Sequence, residues 1–342
     1  MKYKINSNRY MLFFSRKQHK QKPLGGLVFF MLMLVILGVF TVASVSAAGN
    51  KPVHVLLLNS YHKGLSWTDG LTRGVDEVLG KNQNLELYVE YMDTKRNALN
   101  ALEDELFEFY QFKHADKKYA AIIAADNNAL EFARRYHQEL FADTPIVFCG
   151  INNFSPELIG ALKHFTGVVE ETDALQTFEL MQKLHPDLKR VVVIGDETAT
   201  GRAEIGAARK ALGQQRQGVN IDYWDDLSTA ALKKELLDLA PESDAVLLTV
   251  FNRDVEGTFY TYEQSAQFIT NAAACPVYGL WSFYLGTGVV GGHMASSRHQ
   301  GRAAAKMVER ILKGESAGQI PILKQSPNQT LLDHKALLKQ GI

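Results

Sequence analysis

VHVLLLNSYHKGLSWTDG, from Val53 to Gly70, is an apolar run that stops at Asn59, Ser60, Tyr61 and His62, with Trp67 close behind. The run reads as a buried strand whose end carries amides, hydroxyls and aromatic rings. The same pattern recurs along the chain. Short apolar runs at 53–58, 85–91, 120–124, 145–149, 191–194, 219–224, 245–250, 276–280 and 288–292 alternate with segments of helical period at 66–79, 99–112, 129–140, 174–184, 203–212, 229–239, 262–274 and 300–312. That alternation predicts an α/β fold built on parallel sheets. Ser66 and Asp69 suggest a capping-box-like start for the first helix, and Gly213, Gly314 and Gly341 fall where left-handed caps are expected.

The strand exits share a chemistry. Leu58 gives way to Asn59-Ser60-Tyr61, Ala125 to Asp126-Asn127-Asn128, and Cys149 to Gly150-Ile151-Asn152-Asn153. Further on, Ile194 gives way to Gly195-Asp196-Glu197-Thr198, Val250 to Phe251-Asn252-Arg253-Asp254, and Leu280 to Trp281-Ser282-Phe283. Each exit alone is adequate turn chemistry. Together, and with Tyr61, Trp67, Phe251, Trp281 and Phe283 beside them, they predict a ligand crevice, because turns do not ask for aromatic rings. In open parallel sheets such crevices lie outside the carboxyl ends of the strands. The strands fall into two groups around 165–169, read as a hinge, so two sheets facing each other across a cleft would enclose a small polar molecule.

The N-terminus is a different kind of sequence. Residues 1–22 carry seven basic and no acidic side chains, and 24–48 carry no charge, which predicts an export signal over 1–47 with cleavage after Ala47 at Val45-Ser46-Ala47. The apolar run is long enough to span a bilayer, so an uncleaved anchor is the alternative, and Met11 is an alternative start. No cysteine lies near this segment, which argues against a lipid-anchored form. Removing the leader leaves 30 Lys and Arg against 37 Asp and Glu, a net charge of about −7. An acidic chain without a basic stripe gives no reason to expect nucleic acid as a partner. Cys149 and Cys275 sit in or beside predicted strands of different lobes and are expected as buried thiols, not a bridge.

Stretches such as LNSYHKGLSWTDGLTRGV, AADNNALEFA, PIVFCGINNF, VYGLWSFYLGTGVVGG and ILKGESAGQIPIL, with the ending PNQTLLDHKALLKQGI, resemble the periplasmic type I solute-binding proteins. The resemblance is to the ABC transporter substrate-binding branch, which also occurs as the extracellular sensor part of membrane histidine kinases. It implies a two-lobed Venus-flytrap, with residues 48–165 and 288–313 in lobe one and 166–287 and 314–342 in lobe two. The cleft positions it implies are Asn59, Ser60, Tyr61, Trp67, Asp126, Asn127 and Asn152 from the first lobe, and Asp196, Asn252 and Trp281 from the second. It implies a periplasmic receptor for a small-molecule ligand, partnered by the membrane permease of an ABC importer. A membrane sensor kinase is the alternative partner, although this chain stops at Ile342 without the kinase helix of the sensor members.

Other motifs carry little. The string Gly286-Thr287-Gly288-Val289-Val290-Gly291 matches G-x-G-x-x-G but enters a strand instead of opening a helix, so no nucleotide is expected. His62, His293 and His299 lack paired metal-ligand spacing, and no G-x-S-x-G elbow or other nucleophile signature occurs. No cofactor, metal or catalytic residue is therefore expected, and an exported α/β enzyme is the remaining rival. For a ligand carboxylate, Arg253 and Arg202 are the cationic candidates.

Overall fold

A computed structural model describes residues 52–97, 99–160 and 163–342. The export signal and its anchor alternative lie outside the described residues. Among the described residues, no helix is long and apolar enough to cross a membrane.

The first sheet holds β1 (Val53–Asn59), β2 (Leu85–Tyr91), β3 (Tyr119–Ala125), β4 (Ile146–Ile151) and β5 (Phe165–Val169), all parallel, in the order β2-β1-β3-β4-β5. Helices α1 (Ser66–Leu79), α2 (Leu99–His114) and α3 (Asp126–Arg135) follow its first three strands. The near-continuous apolar run of β1 has a simple cause. Val55 and Leu57 enter one core while Leu56 and Leu58 enter another on the opposite face, so none of these four positions can be polar.

The second sheet holds β6 (Arg190–Ile194), β7 (Gln215–Arg216), β8 (Val219–Trp224), β9 (Asp244–Leu248) and β10 (Val277–Gly279), in the order β10-β9-β6-β8-β7. It is parallel except for the short β7. Its helices are α4 (Ala174–Leu184), α5 (Ala199–Leu212), α6 (Thr229–Leu237) and α7 (Tyr262–Ala272). The chain then forms β11 (Gly291–Met294), α8 (Ser297–Leu312), β12 (Gln329–Leu332) and α9 (His334–Gln340), with β11 and β12 paired antiparallel.

Helix α8 returns to the first sheet, where Ala304, Ala305 and Val308 share a core with Val55 and Leu57. Its approach to α1 is backbone to backbone: a Cβ on Gly74 would stand 2.1 Å from the Arg298 carbonyl oxygen, and one on Gly301 would stand 2.2 Å from that of Leu71. Cys149 and Cys275 are free, buried thiols in separate cores.

The sequence reading needs correction at several points. Segment 165–169, expected as a hinge, is an outer strand of the first sheet, because Phe165, Thr166 and Gly167 pair with β4. The tail after residue 313, expected wholly in the second lobe, is divided. Leu323 bridges to Val168 and Ile320 joins the first core, whereas Leu331 and Ala336 pack with the second. The capping box expected at Ser66 is absent, since Leu65 is the N-cap, Asp69 Oδ1 accepts from the Gly64 amide at 2.9 Å and Ser66 Oγ donates to Glu263 at 2.7 Å. A capping box does start α7, between Thr261 and Gln264.

Candidate functional site

Where the two sets of strand ends face each other, a cavity of about 580 Å³, counting its open mouth, lies between the lobes. In each sheet the strand order reverses beside the first strand, and open α/β sheets gather their free loop ends at that point. Tyr61 follows β1, Asp126 follows β3, Asn152 follows β4 and Glu170 follows β5. The second lobe contributes Thr200 and Glu204 from the start of α5, Val250 after β9, Tyr262 from the first turn of α7, and Trp281 and Phe283 after β10. Leu65, Trp67 and Lys95 complete the lining.

The rings form a connected wall. Trp281 and Phe283 stack with centroids 5.9 Å apart and planes 14° apart, and Tyr262 lies 4.5 Å from Phe283. Lys95 Nζ stands 4.6 Å from the centroid of Tyr61, a cation–π arrangement at the cavity wall. Trp67 belongs to the first lobe by sequence, yet its ring packs in the second lobe's core.

Three carboxyls line the same cavity. Asp126 is 3% exposed and takes a left-handed backbone conformation, φ 69°, which Asp tolerates better than most residues. Its Oδ1 accepts from Trp67 Nε1 at 2.8 Å, while its Oδ2 is buried with no hydrogen-bond partner. Gly150 makes room for it, because a Cβ there would lie 2.8 Å from Asp126 Oδ1. Glu170 joins the lobes: Oε2 accepts from Asn152 Nδ2 at 3.4 Å and Oε1 from Trp281 Nε1 at 3.2 Å. Glu204 accepts from Thr172 Oγ1 at 2.6 Å.

Burial sets the protonation of these groups. Removal from water pushes Asp126 up to about 7, against the opposing pull of the Trp67 hydrogen bond and the Lys95 charge. Burial, reinforced by the Asp126 charge, pushes Glu170 up to about 8. Burial raises Glu204 as well, opposed by Thr172. Tyr262 is pushed up to about 12 by burial and then by Glu170, and Tyr61 is raised by burial and then by Asp126. Among the described residues, no group of three or more His, Cys, Asp or Glu side chains could hold a metal ion.

Of the positions expected from sequence, Tyr61, Trp67, Asp126, Asn152 and Trp281 line the cavity, and five others do not. Asn59 is buried, with Nδ2 directed to the Glu90 carbonyl at 3.4 Å. Ser60 Oγ donates to the Ala125 carbonyl at 2.7 Å and accepts from the Ala129 amide at 2.8 Å, fastening the end of β1 to the start of α3. Asn127 exchanges two 3.1 Å hydrogen bonds with the Asn152 backbone and so positions that neighbour. Asp196 accepts from the amides of Thr198, Asn252 and Arg253, and Asn252 Nδ2 donates to the Tyr260 carbonyl at 3.0 Å. Four of these hold loops in place, and Asn59 ties the end of β1 to β2. Arg202 donates to the Glu197 carbonyl, and neither it nor Arg253 lines the cavity, where the amine is that of Lys95.

Glu170, Glu204, Lys95 and Tyr262 were not expected. Glu170 could have been found had 165–169 been read as a strand, since it would then have been one more polar strand exit. Glu204 and Tyr262 lie on helices away from the strand ends, and Lys95 lies in the turn after β2, an exit without the amide and aromatic pattern of the others.

Comparison with known proteins places this geometry. A search of curated proteins finds no match. Among solved structures, a ligand-free, open substrate-binding protein with adhesive properties from Clostridium difficile superposes with a TM-score of 0.63 at 15% identity, covering 85% of this chain and 95% of that one. An ABC domain from Streptococcus pneumonia in complex with L-Trp gives 0.55 at 14%, covering 85% and 95%. An ABC transporter solute-binding protein from Bacillus halodurans with bound myo-inositol gives 0.52 at 12%, covering 85% and 98%. Likeness at these identities establishes the fold, a two-lobed binding-protein α/β architecture. The family follows from the sequence itself, for the model described as ABC transporter substrate binding protein matches residues 68–342, and the chain belongs to that family.

Proposed function

We propose that this protein is an exported receptor that captures a small polar or amphipathic molecule between its lobes and presents it to the membrane permease of an ABC importer, without transforming it. The observation that carries this reading is the cavity itself: both lobes line it, and its wall holds a buried carboxylate oxygen on Asp126 without a partner. A buried polar atom left unpaired costs about 1–3 kcal/mol, a cost that a bound molecule can remove. Aromatic rings that supply contact area, beside a few polar groups that fix orientation, are the usual make-up of a ligand pocket. The fold neighbours that hold L-Trp and myo-inositol show how varied the occupants of this architecture are. Export rests on the basic and then apolar leader over 1–47.

Closure would follow from differential affinity, because a ligand favours the closed form only as far as it binds that form better. The test is native mass spectrometry of the protein produced from its full sequence, followed by thermal-shift screening of amino acids, amines, sugars and carboxylates. A ligand-specific rise in Tm that is reduced in Trp281→Ala is the expected result. Equal shifts in wild type and variant would remove the cavity from consideration, and N-terminal sequencing of the same material reports whether the leader is cleaved.

A further inference from the structure

The cavity is lined by more acidic than basic groups. Asp126, Glu170 and Glu204 face one amine, that of Lys95, so with every carboxyl ionised the lining carries a formal −2. Lys95 is already engaged, since its Nζ stands over the Tyr61 ring and its charge acts on Asp126. The same lining contains Tyr262, Trp281 and Phe283, whose ring faces attract cations and repel anions.

From this geometry we infer that the ligand is an organic cation: a protonated amine or quaternary ammonium on a compact apolar or aromatic body, without a carboxylate. The inference rests on the receptor reading above and narrows it. Asp126 Oδ2, buried and unpartnered in the cavity wall, is the acceptor that such an N–H or ammonium group would meet. Glu170 Oε1 and Oε2 accept from one lobe each, so a cation beside this carboxyl would strengthen a contact that spans the lobes. A zwitterion brings no net charge to offset the deficit, and it would place a fourth carboxylate in a cavity that already holds three. A metal cation is disfavoured because these carboxyls do not converge on one coordination sphere. The buried lining also resists full ionisation, since burial raises all three groups, and an entering cation relieves that cost.

The test uses matched probes on the protein produced from its full sequence, by calorimetry and thermal shift. Tryptamine, L-tryptophan and indole-3-acetate share one ring and differ in charge; phenethylamine and choline vary the cation, and myo-inositol is the neutral arm. The expected result is that at least one cation binds ten-fold or more tightly than any zwitterion, acid or neutral probe. Glu170→Gln and Asp126→Asn should each reduce its affinity about ten-fold, and Glu170→Asp should retain part of it. Tighter binding of L-tryptophan, indole-3-acetate or myo-inositol would overturn the inference and leave the receptor reading intact. So would a neutral or acidic molecule found bound by native mass spectrometry. If no probe binds and no small molecule is retained, the receptor reading fails, and the inference fails with it.

Discussion

Glu170 and Trp281 are joined across the cleft: the indole Nε1 donates to Oε1 at 3.2 Å, linking the residue after β5 to the residue that leaves β10. Both side chains are almost wholly buried, so the contact is a charge-assisted bond in a low-dielectric setting once Glu170 ionises. Trp281→Phe keeps an apolar ring and removes the donor. The expected cost is about 1.5–3 kcal/mol above the pH at which Glu170 ionises, and less when it is protonated. Urea unfolding at pH 5 and pH 8.5 measures both, and an equal loss at the two values would mean the bond does not depend on the charge.

The raised carboxyls make the protein sensitive to alkali in a defined direction. Asp126 rises from 3.8 to about 7 and Glu170 from 4.5 to about 8 on folding, so between those values the folded chain holds protons that the unfolded chain has released. Their contribution to stability is complete below about pH 4 and is lost as pH rises towards 8, with a slope of up to about 1.4 kcal/mol per pH unit for each group. His114, His185 and His299, whose values burial lowers, act in the opposite sense below their usual range. The difference between wild type and the Asp126→Asn, Glu170→Gln double variant isolates the cavity. The double variant should gain on wild type steadily from pH 5 to pH 8, and parallel profiles would contradict the burial argument.

That cavity was only half legible in the sequence, and the reason is physical. β1 is readable because both faces of its sheet are buried, which forces an uninterrupted apolar run, and its exit is readable because Tyr61 is not a turn former. The same exits also contain Ser60, Asn127 and Asp196, whose residue types suit a ligand and a loop backbone equally well. Only their partners, the amides and carbonyls they hold, separate the two roles. β5 was lost because Phe165-Thr166-Gly167-Val168-Val169 is short and contains a glycine, and Glu170 was lost with it. The glycine belongs there, since a Cβ on Gly167 would stand 2.3 Å from the Phe148 carbonyl oxygen of the neighbouring strand.

Helix approach supplies a test of the fold independent of any ligand. Gly74→Ala places a methyl group 2.1 Å from the Arg298 carbonyl oxygen, so α1 and α8 must separate, at an expected cost of about 1–3 kcal/mol or more. Gly206, exposed on α5 with nothing within 4 Å of its Cβ position, is the control. Gly206→Ala should be neutral or stabilising by up to about 1 kcal/mol, the helix-propensity difference. Chemical denaturation of both variants checks the pair, and equal effects would mean that the α1–α8 contact is looser than described.

Ser60 and Tyr61 are adjacent in the chain, yet only Tyr61 lines the cavity. Ser60 Oγ spends both its donor and an acceptor site on backbone groups of Ala125 and Ala129, whereas the Tyr61 ring lies in the cavity wall under Lys95. Ser60→Ala strands a buried amide and should lose about 1–3 kcal/mol of stability. Its effect on the dissociation constant of whichever probe binds should stay within about three-fold, because no atom of Ser60 lines the cavity. Tyr61→Ala removes a ring and frees the Lys95 ammonium, so probe affinity should fall about ten-fold, the equivalent of 1.4 kcal/mol and within the range of one cation–π or stacking contact. Calorimetric titration and denaturant midpoints on the same two variants separate the effects. A Ser60→Ala protein with normal stability and lost binding would move the boundary of the site one residue upstream.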